Sequence, residues 1–249
     1  MSFYNEISKY YDEIFPAGEE QIKFIEDAAG GTGADILDIA CGSGTYSVKL
    51  AKKGYKITSV DLEDEMIRKV KEKADDEKVD IETFVCSMTE LEEKLEGKYK
   101  VLFCIGNSIV HLGNLEEIEN ALGQMYELTE PGGVLIVQIM NYDRIIRLGL
   151  KELPPIINRE VGVEFIREYD YKPEKNSIDF NTTLVVKDGN ITRTLKNTVE
   201  LFPIMSADLI KLFEKAGFNR YETYGDFLYS PYKEDSYMFV IKAFKTLDS

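Results

Sequence analysis

The chain has 249 residues, with 45 acidic against 30 basic side chains and a formal charge of −15 at pH 7. That length can bury a full core, as one large domain or a domain carrying an insertion. The negative field repels phosphate backbones and anionic lipid, which argues against a nucleic-acid partner and a membrane surface.

In chain order, Phe3, Ile7, Tyr10, Tyr11, Ile14 and Phe15 recur at spacings of three and four. They predict an amphipathic helix ended by Pro16 and Gly18. A second helix is expected over Glu19 to Ala29, followed by G-G-T-G. Ile36, Leu37, Ile39 and Ala40 then form a short apolar run with Asp38 embedded in it, ending at Gly42 and Gly44 before a helical pattern from Thr45 to Lys53. This reads as a buried parallel strand, a tight turn and a helix start, where a ligand can lie against bare main chain beside unpaired helix N–H groups. After a turn at Gly54, the strand Y-K-I-T-S-V-D ends at Asp61, whose carboxylate can accept hydrogen bonds from both hydroxyls of a ribose. A nicotinamide-type G-x-G-x-x-G would need a third glycine where Ser47 stands, so the spacing fits an adenosine ligand with free hydroxyls.

The segment L-E-D-E-M-I-R-K-V-K-E-K opens with acids and closes with bases, a solvated helix oriented along its dipole. Ile81 to Cys86 is a third strand, leading to Ser87 and Met88. Tyr99 to Ile105 is a fourth, delivering G-N-S-I-V-H-L at 106–112. In a doubly wound sheet ligands collect beyond the carboxyl ends of strands, so Asn107, Ser108 and His111 are expected at that edge. A helix over Leu115 to Leu128, the turn E-P-G-G and a fifth strand V-L-I-V-Q-I-M follow, ending in Asn141-Tyr142-Asp143. Between Gly162 and Phe202 the pattern becomes three strands, the last two parted by Asp188-Gly189, a hairpin signal. Such an antiparallel insert would stand over the carboxyl edge as a cap. A helix over Ser206 to Ala216 and strands over Tyr221–Gly225 and Tyr237–Lys245 complete the chain.

Cys41, Cys86 and Cys104 stand far apart beside apolar residues, as reduced buried thiols, and their spacing offers no zinc site. The start lacks a basic-then-apolar signal and no apolar run approaches about 18 residues. A cytoplasmic protein without a membrane span or metal is expected.

Asp38, Gly42, Gly44 and Asp61 together resemble the first motifs of class I S-adenosylmethionine-dependent methyltransferases. C-I-G-N-S-I-V-H-L with N-Y-D-R-I-I, and I-L-D-I-A-C-G-S-G with G-Y-K-I-T-S-V-D, are similar to glycine and sarcosine N-methyltransferases. The resemblance covers residues 35–146 well and G-D-F at 225–227 more loosely. It implies an α/β fold, a Rossmann-like doubly wound, mostly parallel seven-stranded sheet with an antiparallel β insert capping the active site. Residues 1–146 and 203–249 would form the cofactor-binding core, with 1–29 as a lid, and 147–202 the insert.

The cofactor implied is S-adenosyl-L-methionine, held by Asp38, Ala40, Gly42, Gly44, Asp61, Leu62, Met66, Ser87, Met88, Ile105 and the lid residue Tyr11. Ser87 stands where the relatives have an acid facing adenine. Methyl transfer by in-line displacement needs alignment of two reactants and exclusion of water, without a covalent nucleophile. Asn107 and Asn141 are expected to meet the acceptor, an amine foremost. His111 can serve as general base, a packing role being the other reading. Tyr4, Tyr11 and Tyr142 could shape the acceptor pocket. Two departures stand out. The register of the relatives' substrate-carboxylate arginine falls on Thr198, with Arg193, Lys196 or Arg144 as substitutes, and the N-terminal helices contain no arginine for the cofactor carboxylate. The partner is then a small-molecule methyl acceptor, and a homodimer is compatible with the sequence. The competing readings are a non-catalytic S-adenosylmethionine-binding or regulatory protein and an NAD-type oxidoreductase.

Overall fold

The structure, a computed structural model, describes residues 7–189 and 191–247. Among the described residues, eleven strands fall into two sheets: β1 (Asp35–Ile39), β2 (Lys56–Asp61), β3 (Ile81–Val85), β4 (Tyr99–Cys104), β5 (Thr129–Met140), β6 (Glu152–Asn158), β7 (Val163–Lys172), β8 (Ser177–Asp188), β9 (Ile191–Leu201), β10 (Arg220–Tyr224) and β11 (Met238–Phe244). The larger sheet has the order β10-β11-β5-β4-β1-β2-β3. Its central pairs are parallel and β11 alone runs against both neighbours. Strand order reverses between β1 and β4, which places a crevice at their carboxyl ends.

Alternation along the central strands explains why both faces are covered. Ile36, Val101, Phe103 and Ile136 enter one apolar layer, beneath the helices Glu19–Ala29 and Thr45–Lys52. Leu37, Ile39, Leu102, Cys104, Leu135 and Val137 enter the other, with the helices Leu115–Leu128 and Ser206–Ala216. A sheet buried on both faces needs such near-continuous apolar strands. Local chemistry starts the helices where the sequence indicates. The Asn114 side chain accepts the Glu117 N–H at 2.9 Å while the Glu117 carboxylate accepts the Gly113 N–H at 2.9 Å, a reciprocal cap.

The smaller sheet, β6-β7-β8-β9, is antiparallel throughout. Its edge strand β6 was not expected from sequence because Pro154 and Pro155 interrupt it. Prolines are tolerated on an edge, and the register shifts between Leu153 and Ile156 to accommodate them. Two further differences concern the N-terminus. Phe3 and Tyr4 lie outside the described residues, and the described part of the expected helix is a 3-10 turn, Ser8–Tyr10, followed by one α-turn, Tyr11–Ile14. Ile7 and Ile14 leave the large sheet and pack with Val163, Phe165, Leu184 and Val186 of the small one. The N-terminal segment therefore packs on the small sheet. Among the described residues no helix is long and apolar enough to cross a membrane.

Candidate active site

The loop after β1 carries the first half of the site. Ala40, Gly42 and Gly44 take φ of +58°, +55° and +76°, so the chain doubles back before the helix Thr45–Lys52 and leaves its backbone bare. The Asp61 carboxylate fixes this turn from β2, accepting the Gly42 N–H at 2.8 Å with one oxygen and the Glu63 N–H at 3.0 Å with the other. Asp38 is buried beneath it. The Ser47 hydroxyl donates to the Asp38 carboxylate at 2.5 Å, and the Ser59 hydroxyl donates to Ser47 at 2.9 Å. Ser47 is thus the support of Asp38, a role invisible when it is read only as a missing glycine.

Burial pushes the Asp38 carboxyl up to about 7, opposed by the Ser47 hydroxyl and reinforced by the Asp61 charge. Burial also raises Asp61, against the backbone N–H groups it accepts. Two carboxylates short of positive charge therefore flank one glycine loop, a setting that favours a cationic ligand.

The N-terminal segment reaches the same loop. A Cβ on Gly42 would come 2.8 Å from the Tyr11 hydroxyl oxygen, so the phenol lies directly on the glycine backbone. Asp12 accepts the Ser43 hydroxyl and pairs with Lys73, tying the N-terminal segment to the loop and to the helix Asp64–Glu77.

Beyond Tyr11 a cavity of about 560 Å³ opens between the large sheet's carboxyl edge and the small sheet. Of the residues singled out from sequence, Asp38, Ala40, Ile105, Tyr11, Asn107 and His111 line it. Gly42, Gly44, Asp61, Leu62, Met66, Ser87 and Met88 are not part of its lining. Leu62 follows β2 and is 67% exposed, Met66 lies on the helix Asp64–Glu77, and Ser87 and Met88 follow β3. After β4, Asn107 precedes and His111 closes a 3-10 turn, Ser108–His111. The turn is held by Gln138, whose side chain accepts the Gly106 N–H at 2.8 Å, and by the Phe202 N–H donating to the Val110 carbonyl at 2.8 Å. The Asn107 amide points partly inward, accepting the Met140 N–H at 2.9 Å and donating to the Tyr142 hydroxyl at 3.0 Å. Burial holds the His111 pKa below the ordinary histidine value, so its imidazole is neutral at neutral pH and able to accept a proton.

Three expectations are corrected here. Asn141 is 1% exposed and lies off the cavity. Its carbonyl accepts the Arg144 N–H and the Tyr232 hydroxyl, and its amide donates to the Glu234 and Ser236 carbonyls, so no hydrogen-bonding capacity is left for an acceptor. Tyr142 is fully buried in the core. Thr198 bonds Asn181 on the outer face of the small sheet and lines, with Lys196, a second cavity there. Alternation turns Asn197 and Val199 toward the main cavity instead. Neither Arg193 nor Arg144 lines it. Arg167, Tyr169, Phe180 and Thr182 do. They went unrecognised, although F-I-R-E-Y sets a charged residue between two aromatics on one strand face.

Comparison with known proteins gives a consistent pattern. A sequence profile described as a methyltransferase domain matches residues 36–133. The chain is 29% identical over 205 residues to the glycine/sarcosine N-methyltransferase of Halorhodospira halochloris, a match spanning 82% of this chain and 72% of that one. Its fold aligns with an S-adenosylmethionine-dependent methyltransferase from Clostridium acetobutylicum at a TM-score of 0.83 and 17% identity, over 99% and 100% of the two chains. An amino pentose methyltransferase from Micromonospora echinaspora, solved with S-adenosylmethionine bound, aligns at 0.68 and 15% identity over 99% and 98%.

Proposed function

Since the chain is a class I S-adenosylmethionine-dependent methyltransferase, we propose that it methylates the nitrogen of a small-molecule amine held between the sheet edge and the four-stranded cap. The observation that carries this reading is the cavity of about 560 Å³ that has the glycine-loop strand end, His111 and the cap as its walls. Those walls suit a small acceptor. The nitrogen is supported by the relatives, whose names specify glycine and sarcosine N-methylation. The family assignment displaces the nicotinamide alternative.

The residues fit the cofactor. After taking two backbone N–H groups, each Asp61 oxygen keeps a lone pair, which matches two ribose hydroxyls. Asp38 and Asp61 offer negative charge to a sulfonium and an ammonium group. Leu62 after β2, Met66 on the following helix, and Ser87 and Met88 after β3 stand where an adenine beyond that ribose would lie. When bound, the cofactor supplies an electrophilic methyl group for in-line displacement. The chain's own residues do the rest. Tyr11 and the lid exclude water, the cap residues 147–202 fix the acceptor, and His111 takes the proton that the nitrogen loses. Alignment of this kind is worth about 7–11 kcal/mol.

Replacing Asp61 with Ala is expected to weaken S-adenosylhomocysteine binding by about 1–3 kcal/mol, through loss of charge-assisted hydrogen bonds. Titration calorimetry measures this, and an unchanged affinity removes Asp61 from the site. The proposal itself is tested by presenting labelled cofactor and a panel of small amines. Turnover is expected, with a rate that falls as pH drops through the depressed His111 pKa. His111→Asn should be slower by about 10²-fold or more and lose that pH step. If the variant keeps the wild-type pH profile, His111 only positions the acceptor. Cofactor binding with no turnover on any amine favours a regulatory protein instead.

A further inference from the structure

Among the small-sheet residues that line the cavity, the charged and amide side chains fall in one row. Across the strands, Leu153, Arg167, Thr182 and Asn197 are successive partners, and the next row along is Tyr169, Phe180 and Val199. On the other side lie Phe165 and Leu184. Arg167 is the sole cation of fixed charge, and Asp38 the sole carboxylate, among the described residues that line the cavity. The Arg167 guanidinium donates through Nη2 to the Pro154 carbonyl at 2.8 Å, while its Nε is buried and without a hydrogen-bond partner. No carboxylate pairs with it among the described residues. A half-buried guanidinium left in this state is costly unless a ligand completes it. Its planar fork matches an anionic oxygen group.

We propose that Arg167 is a specificity-determining residue that binds an anionic oxygen group of the acceptor, with the acceptor's apolar body lying over Tyr169, Phe180 and Val199. The inference rests on the methyltransferase reading of the same cavity and adds the acceptor's class: an amine whose anionic group is attached to an aromatic or aliphatic body. Glycine, having no such body, would leave the aromatic row uncovered and is expected to bind weakly. Fixing the anion at Arg167, on the cap, leaves the amine end free to face the strand ends and His111.

The test uses the full chain, wild type, Arg167→Met and Arg167→Lys, titrated with phenylacetate, phenyl phosphate, phenylacetamide and glycine, each with and without S-adenosylhomocysteine. Wild type should bind one of the two aromatic anions about 10- to 100-fold more tightly than the neutral amide. Which anion wins identifies carboxylate or phosphate as the group recognised. Arg167→Met should lose that preference while binding S-adenosylhomocysteine as wild type does, and Arg167→Lys should recover part of it. If the wild type binds anion and amide equally, or if Arg167→Met keeps the preference, Arg167 is not the recognition group. The loss of S-adenosylhomocysteine binding in wild type would instead overturn the reading of the whole cavity. A variant that binds S-adenosylhomocysteine normally is folded, so a lost anion preference there is assignable to Arg167.

Discussion

Asp38→Asn is expected to stabilise the cofactor-free protein by about 2–4 kcal/mol at pH 8 and to leave its stability unchanged near pH 4. The carboxyl is 3% exposed and its pKa rises from 3.8 to about 7 in the folded chain, mainly through burial. A raised pKa means that the folded state prefers the protonated form. Its stabilising contribution is complete below the unfolded value of 3.8, is lost progressively as pH rises from there, and is gone above about 7. At about 1.4 kcal/mol per unit the full span is worth about 4 kcal/mol, an upper figure because buried sites relax. Asparagine carries no such titration. Its side-chain oxygen can still accept the Ser47 hydroxyl, so the Ser59–Ser47 chain survives. The same variant should bind S-adenosylhomocysteine more weakly, because the ligand's ammonium group loses its counter-charge. Denaturant unfolding of both proteins at pH 4, 6 and 8 checks this. Equal destabilisation of the variant at every pH would mean that Asp38 is held as a hydrogen-bond acceptor and that its charge costs the fold nothing.

That β1 ends in a tight glycine turn before a helix was legible in the sequence, whereas the supports of Asp38 were not. Motif spacing reports which residues share a strand end. It does not report that Ser47, nine positions on, donates to the Asp38 carboxylate, or that Ser59, twenty-one positions on, donates in turn to Ser47. Elements with local determinants came through with both ends correct: Leu115–Leu128 through its Asn114 cap, and Ser206–Ala216, closed by Gly217 at φ +114°. Elements that depend on distant partners came through less well. The N-terminal pattern of Ile7, Tyr10, Tyr11 and Ile14 is helical in spacing, but its apolar side is satisfied by β7 and β8, which bend it into two short turns. β6 was hidden by Pro154 and Pro155, because an edge position is a property of the sheet and not of the strand. Thr198 and Asn197 differ by one residue and face opposite sides, so a register carried over from relatives that is wrong by one moves the expected contact out of the cavity altogether. Arg167 marks the converse case. Alternation along F-I-R-E-Y already sets it on one face with Phe165 and Tyr169, but which face of the strand looks onto the cavity is decided by how the two sheets pack.

Gly44→Ala is expected to destabilise the chain by about 2–5 kcal/mol and to abolish measurable cofactor binding. Two costs combine. At φ +76° an alanine pays the left-handed penalty of about 1–2 kcal/mol. Its Cβ would also stand 2.8 Å from one Val70 methyl and 3.0 Å from the other. Val70 is fully buried on the helix Asp64–Glu77 and β-branched, with few rotamers to escape into, so relief needs a shift of that helix or of the loop. Overpacking of this kind costs about 1–3 kcal/mol. A control separates the two. Gly30 has φ +71° and nothing within 4 Å of a built Cβ, so Gly30→Ala carries the conformational cost alone. Denaturant midpoints for the two variants should therefore differ by about the overpacking cost, and only Gly44→Ala should lose S-adenosylhomocysteine binding in calorimetry. If the two variants are equally stable, Val70 yields freely. The glycine loop would then be too soft to present a fixed backbone to any ligand, and the rigidity on which alignment of cofactor and acceptor depends would have to come from the lid.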